Sequence, residues 1–81
     1  MIYQVIEYDG KTVYQFTPGD DEPDLTTHLG MGYYGPSEPV LEAVAAAGFN
    51  AGLIDFASKP APTRFYIHDQ RLAFWFRTRF C

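Results

Sequence analysis

Cysteine, histidine, lysine and serine are all scarce in this 81-residue chain, and each scarcity excludes something. The one cysteine, Cys81, is the last residue, so neither an internal disulfide nor a thiolate metal cage can form. A lone thiol fits a reducing compartment, and the expected localisation is cytoplasmic. No apolar run approaches the roughly 20 residues of a membrane-spanning helix, so no membrane partner is expected. The opening "MIYQVIEYDG" lacks a basic region and a small-residue cleavage site, and reads as a strand, not a signal peptide.

The nucleophiles and bases are equally few. Ser37 precedes a helical pattern and reads as its cap; Ser58 sits two residues before Pro60. Ser58, His68 and Asp69 can be written as a triad, but their spacing matches no nucleophile-elbow pattern. His28 and His68 are forty residues apart, with no clustered ligand beside either. "GMGYYGP" has glycines at 30, 32 and 35, without the preceding strand or the spacing of a dinucleotide loop. The acidic "GDDEPD" lacks the glycine and terminal glutamate of a calcium loop. We therefore expect no catalytic residue, no metal site and no cofactor.

Basic residues are outnumbered, six to ten, for a net charge of −4. The distribution is uneven. Residues 1–55 carry nine acids against Lys11, whereas residues 56–81 carry Asp69 against Lys59, Arg64, Arg71, Arg77 and Arg79. Such asymmetry concerns partners and steering more than fold.

Aromatic residues, in contrast, are abundant: seven Phe, six Tyr and one Trp. Each buries a large area, which helps a single small domain, residues 1–81, to form a core. Two β-rich runs flank Asp9-Gly10, the pair preferred in two-residue hairpin turns, and predict strands at about 2–8 and 11–17. That turn sets Tyr8 opposite Lys11, Ile6 opposite Val13 and Tyr3 opposite Phe16. Tyr3, Val5, Tyr14 and Phe16 then share one side, which reads as core, while Ile2, Ile6 and Val13, mixed with Gln4 and Gln15, share the other, which suits half-coverage or a partner. Residues 18–36 hold enough proline and glycine to predict a long mobile loop, with one helical turn at 25–29 capped by Asp24. Ser37 and Gly48 bracket a helix with Val40, Leu41, Val44 and Ala47 on one face. A short buried strand follows at 53–57. "RFYIHDQRLAFWFRTRF" alternates like a second hairpin, with strands at 64–68 and 71–80 turning at Asp69-Gln70. In that register Leu72, Phe74, Phe76 and Phe80 face the core. The element order ββαβββ predicts an α+β two-layer sandwich: an antiparallel sheet of about five strands with one main helix on one face.

Two surfaces stand out. Asp20, Asp21, Glu22 and Asp24 place four carboxylates in five positions, suited either to solvation or to a groove built of lysine and arginine. Tyr33, Tyr34 and Trp75 are candidate anchors for such a partner. The second surface is the far side of the expected C-terminal hairpin, where Arg64, Tyr66, Arg71, Trp75, Arg77 and Arg79 would share one sheet face. That face suits solvent, a protein interface or single-stranded nucleic acid; overall acidity disfavours the last.

With "PGDDEPD" in a short, acidic, single-domain chain, the sequence resembles small phage-encoded inhibitor proteins of the anti-CRISPR type. The resemblance is one of overall character and carries no residue motif. It implies a nucleic-acid mimic: a non-enzymatic inhibitor whose acidic surface blocks a larger protein or ribonucleoprotein complex with a basic groove. The alternatives are a nucleic-acid-binding module using the arginine and aromatic residues, and a homodimeric accessory protein.

Overall fold

The Asp9-Gly10 turn forms as its chemistry dictates. Both residues take positive φ, 53° and 74°, the combination that lets a two-residue turn follow the twist of its strands. It joins β1 (Ile2–Tyr8) to β2 (Lys11–Thr17) in an unbroken antiparallel register from Ile2↔Thr17 to Tyr8↔Lys11. The computed structural model describes residues 1–81. After a 3₁₀ turn at Pro23–Leu25 come β3 (Thr26–Gly30), β4 (Tyr33–Pro36), α1 (Glu38–Ala46), a second 3₁₀ turn at Ala51–Leu53, β5 (Ile54–Ala57), β6 (Arg64–Ile67) and α2 (Gln70–Phe80). The fold is α+β. A four-stranded antiparallel sheet in the order β1-β2-β6-β5 carries two helices, and β3-β4 form a separate small sheet.

Register decides the faces. Phe16 pairs with Phe65, Tyr14 with Ile67, and Ile67 with Ile54, so all of these side chains project from one side. Val40 and Val44 of α1 and Leu72, Ala73 and Phe76 of α2 pack on that side to complete the core. Phe76 is its centre. It is fully buried, with its ring 4.8 Å from Phe16, 6.0 Å from Phe65 and 4.7 Å from Phe80. Gln4, Ile6, Val13, Gln15, Tyr66 and Asp55 occupy the opposite face, over which no layer lies.

Helix α1 ends as expected. Gly48 has φ 89°, its N–H reaches the Ala45 carbonyl, and the Phe49 N–H reaches that of Val44. This pattern closes a helix through a left-handed residue. At the start, Ser37 caps with its backbone only, because its buried hydroxyl makes no hydrogen bond.

Two expectations are corrected. Residues 71–80 form α2, not a strand. The Asp69 carboxylate accepts a 2.8 Å hydrogen bond from the Leu72 N–H and caps a helix, where a hairpin turn was expected. Gln70 to Phe80 contains one β-branched residue, Thr78, and is otherwise compatible with helix. Arg77 and Arg79 lie in the last turn, where the helix dipole favours cations. Leu72, Phe76 and Phe80 therefore fall on one stripe at i, i+4 and i+8, while Phe74 turns outward with 73 % exposure. The second correction concerns residues 18–36, which form a 3₁₀ turn and the β3-β4 hairpin, with no helical turn at 25–29. Met31 and Gly32, at φ 54° and 80°, make its tight turn. Gly35 lets it press on β5: a Cβ there would stand 2.9 Å from Leu29 Cδ1 and 3.2 Å from the Phe56 ring.

Candidate partner-binding site

The acidic residues diverge in role. Glu22 closes its own turn. Its backbone N–H donates to the Gly19 carbonyl, and its carboxylate accepts from the Gly19 N–H at 3.2 Å. The same carboxylate pairs with the Met1 α-amine. Contact with that amine, and then the Gly19 N–H, hold Glu22 below the usual carboxylate range; the Glu22 contact in turn raises the amine. Asp20, Asp21 and Asp24 are exposed and pair with no cation.

A groove of about 270 Å³ runs beside them, lined in part by Asp20, Glu22, Pro18, Pro23, Pro62 and Tyr34. Three of the expected partner-binding residues, Asp20, Glu22 and Tyr34, thus meet at one place. Tyr34 is held there firmly. Its N–H donates to the Ser58 hydroxyl at 2.6 Å, and that hydroxyl donates back to the Tyr34 carbonyl at 2.7 Å. The His28 ring lies 5.1 Å from the Tyr34 ring. Tyr33 lies apart, under the Lys59 ammonium at 4.5 Å, which also donates to the Met31 carbonyl.

Trp75 does not join this groove. It is half-buried against Phe49, Phe76 and Phe80, at ring distances of 5.7, 6.5 and 5.9 Å. Nor does the expected arginine-aromatic sheet face exist as one surface. Arg64 and Tyr66 lie on β6, on the open face, where the Arg64 guanidinium donates to the Tyr66 hydroxyl and to the carbonyls of Pro60 and Pro62. Arg71, Trp75, Arg77 and Arg79 lie on α2, across the sheet, because the segment is helical. Arg77 stacks over the Tyr3 ring at 4.3 Å and Arg79 over Phe80 at 5.3 Å. No lysine or arginine of the chain forms a salt bridge.

Ser58, His68 and Asp69 hold separate tasks: Ser58 grips β4, Asp69 caps α2, and His68 Nε2 stands 3.4 Å from Asp55 Oδ2. The last pair borders a recess of about 260 Å³ on the open sheet face, the second side of the first hairpin. Val13, 2 % exposed, is its floor, and Ile6, Tyr8 and Tyr66 are among its walls. The sequence signals it: Ile2, Ile6 and Tyr8 alternate on β1 just as Tyr3 and Val5 do, so both faces of the ribbon are apolar.

Chemically, the acidic groove suits a cation. The Asp20 carboxylate can accept hydrogen bonds from ammonium or guanidinium, the prolines and Tyr34 shelter an aliphatic stem, and the Tyr34 ring is available for a cation–π contact. No helix is long and apolar enough to cross a membrane. No family model, curated protein or solved structure matches the chain.

Proposed function

We propose that the chain is a non-enzymatic binding protein that presents Asp20, Asp21, Asp24 and Tyr34 to basic side chains of a larger partner, and that it inhibits a nucleic-acid-handling complex by occupying the groove where phosphates would lie. The observation that carries this reading is the meeting in one groove of Tyr34, fixed by Ser58, with Asp20, which no cation of the chain neutralises, while Asp21 and Asp24, equally unpaired and exposed, stand on the same short stretch. A mimic of phosphate needs fixed negative charge at its surface, and unpaired aspartates on a short turn supply it.

Fluorescence anisotropy with a labelled oligo-arginine peptide tests the recognition chemistry, and displacement of an oligonucleotide from that peptide tests the mimicry. We expect binding that weakens as salt rises and is lost when Asp20, Asp21 and Asp24 are all changed to Asn. Changing Glu38 and Glu42 of α1 to Gln also removes exposed acid and should leave binding near that of the parent. Equal binding by the triple Asn variant and the parent would sink the proposal.

A further inference from the structure

The two edges of the four-stranded sheet are finished differently. β5 is four residues long, runs into Ser58 and the Pro60–Pro62 stretch, and lies beside β4, which Ser58 grips. β1 is seven residues long and pairs with β2 without a bulge. It contains no proline and no lysine, two of the devices that keep an edge from pairing. It also carries three exposed apolar side chains, Ile2, Val5 and Tyr8, at 66, 54 and 72 %.

The hairpin geometry shows which backbone groups are free. Residues flanking a two-residue turn exchange both hydrogen bonds, and the pattern alternates along the ladder. Ile2, Gln4, Ile6 and Tyr8 therefore direct their N–H and C=O groups at β2, while Tyr3, Val5 and Glu7 direct theirs outward. Nothing in the chain meets these groups, since β1 has β2 as its single neighbour and no turn or side-chain hydrogen bond reaches its backbone.

We propose that β1 pairs antiparallel with β1 of a second copy, with Val5 on the two-fold axis, so that two four-stranded sheets become one. This register uses every outward residue: Tyr3 opposes the partner's Glu7, Val5 the partner's Val5, and Glu7 the partner's Tyr3, with about six hydrogen bonds in all. A slip of two residues in either direction forfeits a third of them. Charge selects the same register. Arg77 lies over Tyr3 with no carboxylate of its own, and the partner's Glu7, opposite Tyr3, arrives beside it. Twice per dimer, an unpaired guanidinium meets an unpaired carboxylate. On the open face, Ile2 comes opposite the partner's Tyr8 and Ile6 opposite the partner's Gln4. The exposed side chains of β1 are thereby covered, and the partner's Ile2 adds a wall to the recess above Val13.

Sedimentation equilibrium in reducing buffer, which keeps the exposed Cys81 from bridging copies, tests this. The mass should climb from 9.2 kDa toward twice that as concentration rises through the micromolar range. Val5→Lys places two ammonium groups at the axis and should give monomer throughout, with an unchanged circular dichroism spectrum because Val5 is outside the core. Glu7→Arg should weaken association about tenfold, and adding Arg77→Glu should restore it. A parent chain that stays monomeric, a dimer that survives Val5→Lys, or a charge swap that fails to recover would each overturn the assignment. The triple Asn variant of the acidic groove should dimerise like the parent, which separates this inference from the proposed function.

Discussion

Two stretches of this chain look alike and fold differently. "IYQVIEYDGKTVYQFT" and "RFYIHDQRLAFWFRTRF" each set alternating apolar residues on both sides of an aspartate-led pair. The first is a hairpin; the second is a strand followed by a helix. The turn residue makes the difference. Gly10 accepts φ 74° without a Cβ penalty, and Asp9 tolerates 53°. Gln70 offers no such freedom, so Asp69 stays extended at φ −81° and uses its side chain to start a helix. Alternation in an aromatic-rich run is thus weaker evidence than the chemistry of the two residues that interrupt it. Leu72, Phe76 and Phe80 satisfy a period of two and a period of 3.6 equally well.

Substitutions can break the comparison, and the largest effect belongs to α2. Phe76→Ala should cost about 3–5 kcal/mol of stability, as for a large aromatic removed from a core, whereas Phe74→Ala should change it by less than about 0.5 kcal/mol. Urea unfolding of both variants measures this; equal losses would mean that residues 72–80 pack as a strand. Next come the turns. Gly10→Val forces a β-branched residue into left-handed backbone and should cost about 1–2 kcal/mol. Asp69→Ala removes a cap for about 1 kcal/mol, and Asp69→Asn, which still caps, should recover most of it. Failure of Asn to rescue would argue against the capping role.

The smallest effect is one of pH, and it touches the first stretch alone. Glu22 ties the start of β1 through the Met1 amine, and its pKa is depressed in the fold. Its contribution is present above the ordinary glutamate range and is lost as pH falls through the depressed value. The amine, raised in the fold, has the opposite sign: its contribution is present below its ordinary value and is lost as pH rises through the raised one. Hydrogen exchange at Ile2 and Gln4, whose amides bond to β2, should therefore accelerate in acid and again in alkali, beyond the intrinsic pH dependence, relative to Ile67. Glu22→Gln should flatten both limbs.

Much of the candidate site was legible. The charges of Asp20, Asp21 and Asp24 lie in a proline- and glycine-rich stretch, and such stretches run along surfaces. Tyr34 was legible as a candidate, but its rigidity was not. That depends on Ser58, twenty-four residues away, and on Gly35 fitting against Leu29 and Phe56. Trp75, Arg71, Arg77 and Arg79 were misassigned together, while Arg64 was not, because one wrong period displaces every side chain that depends on it.

Local chemistry in the sequence determined the first hairpin and its register, the closure of α1 at Gly48, the α+β class and the separation of charge, since each rests on residues close together in the chain. Tertiary structure alone decided that the Asp69-capped α2 sets Phe76 into the core, that both helices share one face, and that β1 is left as the open edge. Those outcomes depend on which apolar surfaces find one another across the whole chain, and burial of Phe76 among Phe16, Phe65 and Phe80 outweighs what the local alternation would allow.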